Sequence, residues 1–218
     1  VDTALALNRA RRYLPHIDPV ETIMTDTRDN AVYGALLARR SGNARALAAP
    51  APDGETLGAI ILAASRAPDH GRLVPFRFLD IAKDARDRMA DILAAASLEL
   101  TPDLAAPEIE RAREKAYQGP AIVAVIARIE VDHPKIPASD QWLSVGCALE
   151  NLLLAVQAFG FAAAVRSGRF LETRAIREGF ALGASEHLVS FVAIGTATDW
   201  PPQKPKPGLE AVFGRWDG

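Results

Sequence analysis

The run from Ser139 to Gly168, SDQWLSVGCALENLLLAVQAFGFAAAVRSG, constrains the fold more than any other part of the chain. Its apolar residues Trp142, Leu143, Val145, Leu149, Leu152, Leu153, Leu154 and Val156 cover more than one helical face, which predicts a helix enclosed by protein nearly all round. Ser139 or Asp140 is placed to cap it. Gly146, Cys147 and Ala148 are small residues in mid-helix, where glycine costs about 1 kcal/mol against alanine, so close approach of another backbone is the expected compensation. Gly160 supplies a left-handed end, and Phe161 to Val165 reads as a short buried strand. Arg166-Ser167-Gly168 then forms a polar turn at the carboxyl end of that strand, a common ligand position where helices and strands mix. By shape alone, a plain surface turn is the commoner reading of those three residues.

With 218 residues, 49% of them hydrophobic, and a net charge of -2, the chain can bury the core of one ordinary domain. The balance of 25 basic against 27 acidic residues argues against nucleic acid as a partner, because counterion-release binding needs a clustered basic excess. A local anion site stays open. The single Cys147 excludes an intramolecular disulfide and a cysteine-rich zinc cage. No apolar run reaches the length of a membrane span, and the first residues lack the layout of a secretory leader, so the expected place is the cytoplasm. Residues 1–23 carry Arg9, Arg11, Arg12, Pro15 and Pro19 on a short apolar pattern. They are expected to be a non-native or flexible extension ahead of Met24, with 24–218 as a single domain.

Elsewhere the periodicity predicts a helix from Asp29 to the Arg39-Arg40-Ser41-Gly42-Asn43 end, with Val32, Leu36 and Leu37 on one stripe. Asp53 should cap a second helix, and Asp84 a third through Met89, Ile92 and Leu93. Phe76 to Ile81, Ala121 to Ile129 and Leu188 to Ile194 read as strands, the second buried on both faces and the third closed by Gly195. Glu108 to Tyr117 is a charged surface helix, and Trp200 to Pro207 is too rich in proline for a helix.

No HExxH, Walker loop, GxGxxG, GxSxG or CxxC occurs, and the four histidines show no ligand spacing, so no metal is expected. What remains is a series of anion-friendly clusters: Arg39-Arg40-Ser41, Arg66 with Asp69-His70, Arg166-Ser167-Gly168, and Lys204 with Lys206. Arginine makes bidentate charged hydrogen bonds and serine adds a donor, a combination that suits phosphate. Any one cluster alone is more often a set of solvated helix-end charges.

Taken in order, LLARRSG, SRAPDHG followed by PF, SVGCA within a long apolar helix, VRSG and a strand ending in IGT make the chain from about Ala31 to Thr196 resemble the nitroreductase family, and within it the YdjA-like branch. The resemblance implies an α+β fold, a central mostly antiparallel sheet flanked by helices, in an interlocked homodimer with FMN at the interface. It implies that Arg39, Arg40 and Ser41 hold the flavin's ribityl phosphate and pyrimidine side, and that Arg66 and His70 approach from the other subunit. Val165, Arg166 and Ser167 match the turn along the isoalloxazine ring, and Arg166 is expected to grip the cofactor together with Arg39 and Ser41. The implied activity is hydride transfer from NADH or NADPH through FMN to a small-molecule acceptor such as a nitroaromatic or quinone; a flavin carrier or sensor without turnover is the alternative. Such chemistry belongs to the cofactor and needs no protein nucleophile. The chain departs from the branch in having Val165 and Phe76 where tryptophan is frequent, and in a longer loop after Ser41 that leaves Asn43 and Arg45 as rival matches for one basic position.

Overall fold

Ala121–Arg128, the most continuous β-branched apolar run of the sequence, forms the middle of the sheet. The structure is a computed structural model that describes residues 30–202 and 205–217; the expected extension at 1–23, Met24 and Lys204 lie outside those residues. Residues 39–201 make one unit, which carries β1 (Leu47–Ala48), β2 (Phe76–Asp80), β3 (Ala121–Arg128), β4 (Ala162–Arg166) and β5 (Glu186–Ala197). All pairings are antiparallel. β3 lies between β2 and β5, and β5 also pairs with β4 and, at its far end, with β1. The expectation that Gly195 closes β5 is corrected, because Thr196 and Ala197 find partners in Ala48 and Leu47 and carry the strand two residues further. Gly195 serves close approach instead: a Cβ there would meet the Ala48 carbonyl oxygen at 2.8 Å and the Pro120 ring at 2.7 Å.

The helix α1 (Ala31–Ala38), capped by the Asn30 side chain, which accepts from the Val32 and Tyr33 amides, belongs to a separate unit and buries none of its residues. The sheet-bearing unit holds α2 (Gly54–Ala64), α3 (Arg86–Leu100), α4 (Ala106–Glu114), α5 (Ala138–Ala158) and α6 (Arg174–Gly179). A short α7 (Leu209–Val212) follows in the first unit. Strand alternation sorts the core into two faces. Ile122, Ala124, Ile126, Ala162 and Ala164 pack with Met89 and Leu93 of α3 and Ile176 of α6. Val123, Val125, Ala163, Val192 and Ile194 pack with Ile60 of α2 and Leu152 and Val156 of α5.

Local rules held unevenly. Asp53 caps α2, its Oδ1 accepting from the Thr56 amide at 2.8 Å. Asp84 caps nothing, since it falls inside the 3-10 turn Lys83–Ala85, and α3 starts without a side-chain cap. Pro137 occupies the cap position of α5, so Asp140 sits in the first turn, where its charge complements the helix dipole. Gly160 ends α5 with φ 79°. Among the described residues of one chain, the enclosure expected for α5 is incomplete. Val145, Ala148, Leu152 and Val156 are buried, but Trp142 is 42% and Leu143 70% exposed, and a Cβ on Gly146 would meet nothing within 4 Å. Among the described residues, α2, the sheet and the turn at His70–Arg72 pack on this 21-residue helix. No helix among the described residues is long and apolar enough to cross a membrane.

Candidate functional site

The Gly42 amide donates to the Ala163 carbonyl at 2.7 Å, and this bond lays the Arg39-Arg40-Ser41 segment along the root of β4. A side chain at 42 would press that carbonyl, with its Cβ at 3.3 Å, so glycine lets the two backbones meet. The segment lines a narrow notch with Ala162, Ala163 and Trp200. Arg39 Nε stands 3.1 Å from Glu150 Oε1 of α5, and the Arg40 guanidinium lies 3.8 Å from the centroid of the Trp200 ring. Stacking engages the face of a guanidinium and leaves its N–H donors in the plane. Ser41 is exposed beside them. Two oriented guanidiniums and a hydroxyl at the mouth of one notch form a donor set suited to a phosphate monoester.

Val165, Arg166 and Ser167 lie at the other end of the same strand. Alternation sends Val165 to the α2–α5 face and Arg166 to the α3 face. The Arg166 guanidinium donates to the carbonyls of Lys115 and Gln118, and its buried Nε has no partner. Burial, and then repulsion from Arg86, lower its pKa to about 10, so it stays a cation at neutral pH at some cost to the fold. Ser167 is exposed, and Gly168 has φ 141°, a conformation that side chains disfavour. This turn therefore offers a hydroxyl and backbone donors.

Arg66 and His70 do not join the notch within one chain. Arg66 is exposed just past the end of α2, and His70 Nδ1 pairs with Asp140 Oδ2 at 2.8 Å at the start of α5. The loop between them is built around Asp69, whose carboxylate accepts from the Leu73 and Val74 amides at 3.2 and 2.7 Å. Those bonds hold Arg72 and Val74 at φ 58° and 49°, the latter rare for a β-branched residue. Phe76 is buried and packs on Phe78. Lys206 is exposed. Among the described residues, no group of three or more His, Cys, Asp or Glu side chains is arranged for a metal.

Sequence reasoning passed over Glu150 and Trp200. Neither carries a motif; Glu150 is one acid on a long helix, and Trp200 opens a proline-rich segment 160 residues after Arg40 in the chain. Only the extended character of that segment hinted that it needs a surface to rest on.

The sequence from 36 to 196 matches the model of the nitroreductase family. A protein of Haemophilus influenzae, provisionally named an NAD(P)H nitroreductase, is 37% identical over 164 residues, which cover 75% of this chain and 88% of the relative. A nitroreductase-like family protein of Bacillus cereus superposes with a TM-score of 0.72 at 16% identity, covering 86% of this chain and 97% of that one. A provisionally named nitroreductase of Desulfovibrio desulfuricans, solved in complex with FMN, superposes with a TM-score of 0.65 at 23% identity, covering 87% and 99%.

Proposed function

The chain belongs to the nitroreductase family, and from that premise we propose that it is an FMN-dependent oxidoreductase, taking hydride from NADH or NADPH and delivering it to a small acceptor such as a nitroaromatic or a quinone. The observation that carries the reading is the notch at the root of β4, where Arg39, Arg40 and Ser41 present phosphate donors one strand-length from the exposed turn at Ser167 and Gly168.

Bound FMN would supply the hydride-accepting ring. The protein's part is to grip, orient and shield. Arg39, held by Glu150, and Arg40, held on Trp200, would meet the phosphate without first losing side-chain freedom, which favours binding. Ser41 would add a hydroxyl donor. The Ser167 and Gly168 amides would donate where negative charge develops on the ring, and the Val165 side chain would form one apolar wall. Arg166 contributes by fixing the base of that turn onto the segment at Lys115 and Gln118, its own guanidinium being occupied there.

The reading includes a homodimer. Trp142, Leu143 and the open flank of Gly146 leave apolar surface exposed on α5 that a second copy would cover, bringing Arg66 and His70 toward the partner's flavin. It also places the protein in the cytoplasm, where a lone thiol such as Cys147 stays reduced. The test is an absorbance spectrum of the purified protein, followed by dialysis and a donor-oxidation assay. Flavin bands that persist in the native protein, are lost at least tenfold more readily in Arg39→Ala, and bleach with NADH or NADPH are expected. A protein that never binds FMN, or an Arg39→Ala variant with unchanged flavin content, refutes it.

A further inference from the structure

On the opposite face of the sheet from the notch, α3, α4 and the segment after Gly168 border an open surface recess of about 490 Å³, within the size range of small-molecule pockets. Arg45, Arg111, Lys115 and Arg169 line it. Among the described residues, none of these four side chains lies in an ion pair, whereas Arg113, two positions from Arg111, pairs with Asp91 and Glu110. Glu108 is the single carboxylate on the wall. Leu104 and Phe170 give the recess an apolar side, and Lys115 Nζ sits 5.6 Å from the centre of the Phe170 ring.

Four like charges round one hollow, offset by Glu108 alone on its described wall, repel each other and raise the local positive potential. They come from three separate stretches of chain, so the fold, not a run of basic sequence, brings them together. A ligand with two or more negative charges would relieve the repulsion, and guanidiniums match phosphate oxygens in geometry as well as charge. The volume is far more than a bare phosphate needs, and the Phe170 and Leu104 side would accept the face of a base or other ring.

We propose that this recess binds the phosphate of an organic phosphate ester, with Arg111 and Arg169 as its principal contacts, apart from the notch assigned to FMN. Two sources share that chemistry: the 2′-phosphate end of NADPH, reaching over from the neighbouring Ser167–Gly168 turn, and a free nucleotide. The first source rests on the function proposed above; the binding itself does not.

The experiment is calorimetric titration of the full chain, saturated with FMN, against 2′,5′-ADP, 5′-AMP and pyrophosphate at low and at physiological salt. Saturable binding of 2′,5′-ADP is expected, weakening with salt and at least tenfold weaker in Arg111→Ala/Arg169→Ala, with Arg111→Lys retaining most of it. Both residues are exposed, and circular dichroism checks that the double variant is folded. If the source is NADPH, the double variant raises its KM about tenfold and leaves that of NADH unchanged. If it is a free nucleotide, the titration changes while both donors react as before. No saturable binding at millimolar ligand, or binding indifferent to the double substitution, overturns the proposal. Failure of wild-type protein to oxidise either donor would instead count against the proposed function, leaving the titration to decide this site.

Discussion

The two faces of the sheet use arginine in opposite ways. On the α2–α5 face Arg39 and Arg40 are each held by a neighbour, Glu150 and the Trp200 ring, and their backbone is tied to β4. On the α3–α4 face Arg45, Arg111, Lys115 and Arg169 surround a hollow with no ion-pair partner among the described residues. The difference teaches what each arrangement is fit for. Held cations favour a ligand of fixed pose, while unpaired ones create a potential that any sufficiently anionic ester can satisfy. A third pattern sets the scale. Arg77 makes a two-bond fork with Glu186 at 2.7 and 2.9 Å, and Arg128 joins the same carboxylate at 3.0 Å, a knot of two guanidiniums on one acid where β5 begins.

That knot should give the largest effect. Glu186→Gln is expected to destabilise the fold by about 2–3 kcal/mol, read by denaturant unfolding at pH 7. The Arg77 hydrogen bonds, chiefly, hold the Glu186 carboxyl far below its ordinary 4.5. A depressed folded-state pKa contributes stability that is complete above about pH 4.5 and drains away as the pH falls below it. The gap between wild type and variant should therefore close on acidification, and a gap independent of pH would show that the knot is not electrostatic.

Gly146→Ala probes the outer flank of α5. Helix propensity alone predicts a gain of about 1 kcal/mol in a single chain, where the added methyl meets nothing. A loss of dimer by light scattering would instead locate the second copy at that flank. Trp200→Ala removes the platform under Arg40, and an FMN affinity about fivefold weaker is expected, the size of a partly exposed cation–π contact. The smallest effect belongs to the recess. Arg111→Ala, made with no ligand present, should raise stability by a few tenths of a kcal/mol at low salt and not at high salt, as relief of exposed like-charge repulsion requires. A destabilised variant would mean that Arg111 has a structural partner, and the contrast between the two faces would fail.

Much of this was legible in the chain. The apolar run at Ala121–Arg128, the Asp53 cap, the glycine stop at position 160 and the strand before Arg166 follow from propensity and spacing, which act over a few residues. The Arg39-Arg40-Ser41 and Arg166-Ser167-Gly168 clusters were visible as polar turns, and only the resemblance tied them, with Val165, to a flavin. What failed were boundaries decided by distant partners. β5 runs past Gly195 because β1 waits beside it, whereas Asp84 loses its cap to a local 3-10 turn that propensity did not signal.

The sequence by itself determined the elements, the α+β character and the residue types available for an anion. Tertiary structure alone decided which way those residues point: Arg166 inward to two carbonyls, Arg40 onto a ring 160 positions away, and four scattered cations into one recess. The reason is physical. Local propensities depend on neighbours in the chain, whereas a charge takes its meaning from whatever the fold places within a few ångströms of it.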